Sequence, residues 1–183
     1  MDVSKLEIPL WCDSRTLPRN KLPIWLLLHN IQDPMNFGAI LRSAYYLGCD
    51  SVVVPGSDSC KLSPVVSKAS AGAMEVVDLM RLSKNSTETD LCQWWKQQGG
   101  EVVGTGRGGN KTCTLETFKM RRPTLLVLGN EGTGIGRELE DCCDTCLFIP
   151  QSGESIDSLN VSVATGIILH WIKTSRTSDV LQT

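Results

Sequence analysis

The chain reads as an α/β protein: a mostly parallel sheet with helices on both faces. Two observations predict this. Short apolar runs rich in β-branched residues recur along the chain, and helical stretches separate them. Such alternation belongs to crossover connections, which place parallel strands side by side and bury both faces of the sheet.

The strands are expected at Ile24–Leu28, Ser51–Val54, Met74–Asp78, Glu101–Thr105, Thr124–Leu128 and Thr145–Ile149. Between them, Asn36–Leu47, Pro64–Ala71, Thr89–Gln98, Gly136–Cys142 and Leu159–Thr174 read as helices. The first helix follows from Pro34, which bars helix at Asp33, from Asn36 as a candidate cap, and from Ile40, Leu41, Ala44 and Leu47, which want burial. The last begins in "SLNVSVATGIILHW", where Ser158, Asn160 and Ser162 sit among residues suited to burial. Ser158 accounts for one of the three as a helix cap. The other two need partners, because an unpaired polar group in apolar surroundings costs free energy.

Residues 1–21, with Pro9 and Pro18, read as a connector outside the core; 22–175 form the domain and 176–183 a polar tail. At 183 residues, 41% hydrophobic and 21% charged, the chain suits one globular domain with a sizeable core. Its longest apolar runs are far too short to span a bilayer, and its start lacks signal-peptide and transit-peptide character. The eight cysteines are expected as free, mostly buried thiols. Only one Cys-x-x-Cys pair occurs (Cys143, Cys146), so no metal is expected. A net charge of −2 gives no global field for a polyanion, leaving local patches: Arg15, Arg19 and Lys21; Arg107 and Lys111; Lys119, Arg121 and Arg122.

In open parallel sheets, ligands gather beyond the carboxyl ends of the strands. Three loops there are informative. "LGNEGTGIGREL" follows a strand and opens a helix, yet Ile135 stands where a phosphate-binding loop needs lysine and Arg137 where a dinucleotide fingerprint needs glycine. What remains is a loop whose glycines let a ligand approach backbone, with Asn130 and Glu131 at its rim. "LLLHNIQDPMNFGAILRSA" places Arg42 on an otherwise apolar helix, either snorkelling or as a fork for phosphate or carboxylate. "IPQSGESIDSLNVSVATG" is the third.

Taken together, "NIQDPMNFGAILRSA", "LGNEGTG" and "IPQSGESIDSLNVSVATG" resemble, in order and spacing, the three motifs of the SpoU or TrmH-like branch of the SPOUT RNA methyltransferases. The resemblance covers about Leu22 to Lys173, and "SPVVSKASAGAMEV" is similar to a mitochondrial rRNA-modifying branch. It implies a carboxy-terminal trefoil knot and S-adenosyl-L-methionine bound by Gly129, Ile149 and Leu159. It also implies Asn30, Arg42, Glu131, Ser158 and Asn160 around the reacting ribose, and a homodimer with composite sites. The implied reaction is 2′-O-methylation of RNA, a guanosine in mitochondrial large-subunit rRNA, in the mitochondrial matrix.

That chemistry needs no metal. It needs alignment at about 3 Å and removal of the hydroxyl proton. The family's accounts make the first-motif arginine the base, but a guanidinium holds its proton to a pKa above about 12. Arg42 is therefore expected to grip a flanking phosphate and stabilise the developing alkoxide, the proton leaving to phosphate or water. Two alternatives stand beside this reading: a tRNA 2′-O-methyltransferase, and a non-catalytic RNA-binding or ribosome-assembly module that keeps the fold. The resemblance further implies a separate RNA-recognition domain preceding this one, so the chain is expected to be a catalytic domain without that partner or its transit peptide.

Overall fold

The computed structural model describes residues 6–18, 22–57, 59–106, 111–130, 132–153 and 158–180, the last five without their side chains. Its strands are β1 (Ile24–Leu28), β2 (Ser51–Val54), β3 (Leu79–Arg81), β4 (Glu101–Thr105), β5 (Thr112–Thr114), β6 (Thr124–Leu128) and β7 (Thr145–Phe148). Its helices are α1 (Pro34–Leu47), α2 (Pro64–Ser70), α3 (Glu88–Gln97), α4 (Gly136–Cys142) and α5 (Val161–Val180). The strands form one all-parallel sheet in the order β3-β2-β1-β6-β4-β7-β5.

Successive strand side chains point to opposite faces, so each central strand feeds two cores. Ile24, Leu26 and Leu28 of β1 meet Phe37, Ile40 and Leu41 of α1 and Ile168 and Ile172 of α5. Trp25 and Leu27 face the other way, onto Leu91, Trp94 and Trp95 of α3 and Leu139 of α4. The expected helices on both faces are present. Trp25 stacks on Trp94 at 5.9 Å, and Trp11 meets Trp94 edge-on at 5.6 Å.

That contact corrects the reading of the amino-terminal segment as lying outside the core. Trp11 is buried. Its N–H donates to the Arg81 carbonyl at 2.8 Å, and the Arg81 N–H donates to the Pro9 carbonyl at 2.8 Å, so residues 9–11 cover the exposed edge of β3. The Trp94 indole N–H donates to the Asp13 carbonyl. An edge strand covered in this way is no longer a template for association.

The third strand also differs from expectation: Leu79–Arg81 pairs with β2, and Met74–Asp78 does not form a strand. Ala71 (φ 48°) and Gly72 (φ 88°) turn the chain sharply after α2, and Ala73–Glu75 closes as a single 3₁₀ turn. Val76 is consequently exposed, whereas Leu79 and Met80 bury one side chain on each face. Three-residue β5 escaped the sequence reading because an edge strand of half-buried residues carries no apolar run. The first helix starts at Pro34 and is capped by Asp33, whose carboxylate accepts the Met35 N–H at 2.8 Å; Asn36 lies inside its first turn and is not the cap.

Ala71 is exposed, yet it adopts a left-handed conformation that costs a residue with a Cβ about 1 kcal/mol. Ala71→Gly is therefore expected to raise stability by about 1 kcal/mol in chemical denaturation, since no packing is lost.

All eight cysteines are free thiols, and four are buried. Burial raises Cys49 and Cys92 to about 12 and pushes Cys143 up as well, so these side chains are packing groups. Among the described residues no helix is long and apolar enough to cross a membrane.

Candidate functional site

Register brings the first two loops together. Leu28 of β1 lies opposite Leu128 of β6, and the His29 N–H continues the ladder onto the Leu128 carbonyl at 2.8 Å. The chains leaving these strands are therefore neighbours. Asn130 donates from Nδ2 to the Asn30 carbonyl at 3.2 Å, and Gln32 donates from Nε2 to Asn30 Oδ1 at 2.8 Å. Asn30 itself is left-handed at φ 53°, a conformation that asparagine tolerates better than most residues.

The second loop folds back on itself. Asn130 accepts from the Gly132 N–H at Oδ1 and from the Gly134 N–H at its carbonyl, both at 2.8 Å. This presses Gly134 against Gly129 so closely that a Cβ on Gly129 would stand 2.3 Å from the Gly134 carbonyl carbon. Only glycine fits there.

The third loop is tied to α1. Asn160 Oδ1 accepts from the N–H groups of Ser162 (2.9 Å) and Val163 (3.4 Å) and from the Ser162 hydroxyl (2.6 Å). Asn160, not Ser158, thus caps α5, which begins at Val161. Its Nδ2 donates to Asn36 Oδ1 at 2.8 Å, joining the start of α5 to the first turn of α1. The three polar residues that seemed misplaced are not in a core: Ser158 and Asn160 are exposed and Ser162 is half-buried.

The second and third loops border an open cavity of about 780 Å³ at the carboxyl ends of β4, β6 and β7. Gly129, Ile149 and Leu159, the expected cofactor residues, line it together with Ser158. Thr105 and Gly106, which the sequence did not single out, complete one wall, while Leu147, Phe148 and Ile168 make it largely apolar. Its described lining carries no ionisable side chain, so it can hold a ligand by backbone and apolar contact.

Asn30 and Asn160 brace the loops without lining the cavity, and Arg42 projects from α1 into solvent. Glu131 lies outside the described residues, as do Arg19, Lys21 and Arg107 of the basic patches. Asn130, expected at the rim of the second loop, lines the cavity and braces Asn30, while Asn36, expected only as a helix cap, emerges as a brace for Asn160. The only signal for Asn36 as a brace was an asparagine just beyond a strand-to-helix loop.

Fold and cavity together define an α/β protein with its cavity at the carboxyl edge of a parallel sheet, where such folds bind ligands. The chain belongs to the SpoU rRNA methylase family, whose model matches residues 23–170. It is 44% identical over 193 residues to mitochondrial rRNA methyltransferase 1 of Homo sapiens, covering 96% of this chain and 53% of that protein. It is 40% identical over 153 residues to the 23S rRNA (guanosine-2′-O-)-methyltransferase RlmB of Shewanella oneidensis, covering 84% of this chain and 60% of that protein. Its fold matches the crystal structure of the SpoU methyltransferase AviRb from Streptomyces viridochromogenes in complex with AdoMet. The TM-score is 0.77 at 27% identity, over 88% of this chain and 63% of that one. The chain spans between half and two thirds of the length of these relatives.

Proposed function

We propose that this chain carries the catalytic domain of an S-adenosyl-L-methionine-dependent RNA 2′-O-ribose methyltransferase acting on a guanosine of mitochondrial large-subunit rRNA. The observation that carries the reading is the cavity, built from the loops of the second and third motifs and lined by Gly129, Ile149, Leu159 and Ser158. Its volume suits a ligand of cofactor size, and Gly129 and Gly134 in its lining carry no side chain to keep an adenosine from the backbone. The AdoMet complex of AviRb supports the cofactor, the guanosine named for RlmB supports the base, and the name of the human relative supports a mitochondrial location.

S-adenosyl-L-methionine supplies a methyl group already activated by its sulfonium charge. The chain's own residues bind and align. Gly129, Ile149 and Leu159 hold the adenosine, and Ser158 at the rim orients the ribose. Asn30 and Asn160 position the loops that meet the substrate, and Glu131 joins them from the second motif. Arg42 is exposed and makes no ion pair among the described residues, so its guanidinium is available to an RNA phosphate and to the developing alkoxide.

Two further parts of the reading have structural support. Insertion of β7 between β4 and β5, which precede it in the chain, supports the threaded topology of the family's knot. Val163 and Ile167 on α5, with Tyr45 and Tyr46 on α1, leave apolar surface exposed and support a homodimer across these helices. The family match over residues 23–170 supports a catalytic unit at 22–175.

Calorimetric titration with S-adenosyl-L-methionine is the first test. Saturable binding at one site per subunit is expected; no binding would overturn the reading. Methyl transfer to unmodified large-subunit rRNA fragments, and not to tRNA transcripts, is expected to follow.

A further inference from the structure

His29 is the last residue of the first strand's ladder, and Asn30 follows it in a left-handed conformation. The two residues are held from different elements. Asn130, from the loop after β6, takes the Asn30 carbonyl. His29 reaches α3 instead, where its Nδ1 lies 3.0 and 2.9 Å from the two carboxylate oxygens of Glu88. Both partners are largely screened from solvent, with side chains 28% and 19% exposed. Glu88 opens a helix that Thr87 and Asp90 already cap in a reciprocal box, so its carboxylate is not needed for that cap. A half-buried ion pair between a strand end and a separate helix restricts the chain that leaves that strand more than a solvated surface pair would.

We infer that His29 and Glu88 form a positioning latch that holds the peptide after β1, and with it Asn30, in the geometry the proposed methyl transfer uses. The inference rests on that reading only for its consequence in turnover; the latch itself is a statement about residues 29–33. Neither latch residue lines the cofactor cavity; both act through the loop they hold and are positioning residues. They line a separate cleft of about 550 Å³, where Lys84, Arg137 and Glu138 are the other charged groups.

The Glu88 hydrogen bond, opposed by desolvation and aided by the carboxylate's charge, raises the His29 pKa above its ordinary 6.5. A raised imidazole pKa makes the pair's contribution complete below the ordinary value and lost as pH climbs through the folded value. The latch is thus tightest in mild acid and loosens in base, where the ion pair is lost and only the hydrogen bond from a neutral imidazole to the carboxylate remains.

The test compares wild type, Glu88→Gln, His29→Gln and the double variant by hydrogen–deuterium exchange and RNA methyl transfer, between about pH 6 and about pH 9. At the low end, each single variant is expected to exchange residues 29–33 about tenfold faster than wild type, with α1 and β1 unchanged. The double variant is expected to add nothing, because both changes break one interaction. The ratio of wild-type to Glu88→Gln turnover is expected to be about fivefold at low pH and to approach unity at high pH, with KM for the cofactor unchanged. Taking this ratio cancels the intrinsic pH dependence of the chemistry. Exchange in 29–33 that neither variant alters would overturn the latch even in an active enzyme, and so would a ratio independent of pH. Absence of transfer by wild type would overturn the functional reading instead, leaving exchange to decide the latch.

Discussion

Gly129→Ala is expected to lower affinity for S-adenosyl-L-methionine at least about 100-fold, or about 2.7 kcal/mol. The cause is backbone against backbone. The added methyl would fall 2.3 Å from the Gly134 carbonyl carbon, 2.5 Å from its oxygen and 2.6 Å from the Ile135 nitrogen. None of these is the end of a flexible side chain that could swing aside, so the loop must open and lose the Gly134 to Asn130 hydrogen bond. Overpacking of this kind costs about 1–3 kcal/mol in stability as well, which a domain with two well-filled cores can survive. Calorimetric titration of the folded variant, with circular dichroism as the control, measures the effect. Affinity equal to wild type would show that this loop is not the cofactor wall.

Arg42→Lys is expected to reduce turnover by about 10²–10³ while leaving cofactor affinity and thermal stability unchanged. Arg42 is exposed on α1, whose buried face is formed by Phe37, Ile40, Leu41 and Ala44, so replacing it leaves the packing of the helix intact. Lysine keeps the positive charge but not the planar fork that grips a phosphate and an alkoxide together. Single-turnover transfer at saturating cofactor measures the loss. Near-wild-type turnover would remove Arg42 from the chemistry, whether as proton acceptor or as electrostatic clamp.

Much of the architecture was legible in local patterns. "IWLLL" is apolar at every position and "TLLVL" at all but its first because both faces of a central parallel strand are covered, and they became β1 and β6. The helices were legible from their apolar spacing, with ends displaced by one or two residues at α1, α2, α3 and the start of α5; the end of α5 runs six residues past Thr174, so residues 176–180, expected as a polar tail, continue the helix. The third strand was misread because "MEVVD" has strand-like composition. The left-handed turn at Ala71–Gly72 and the pairing surface of β2 outweigh that propensity. Trp11 was read outside the core because nothing in a proline-bearing segment reveals that a strand edge elsewhere needs a cover.

The site divides in the same way. Gly129, Ile149 and Leu159 were found from motif resemblance, and they share one cavity. The order of the motifs along the chain could not reveal that Asn130 would brace Asn30 across 100 residues, or that Asn160 would hold Asn36 across 124. Nor could it reveal that His29 would find Glu88 on the opposite side of the sheet from α1 and α5.

By itself the sequence determined the α/β class, most of the elements, the family, and two of the loops that line the cavity. These follow from short-range periodicity and from residue types that one kind of loop requires. Only the tertiary structure decided which polar groups pair, what covers the edge of the sheet, and which end of α5 is capped by which side chain. Those outcomes depend on strand order and register, which bring distant segments within hydrogen-bonding range and leave no trace in the spacing of either segment alone.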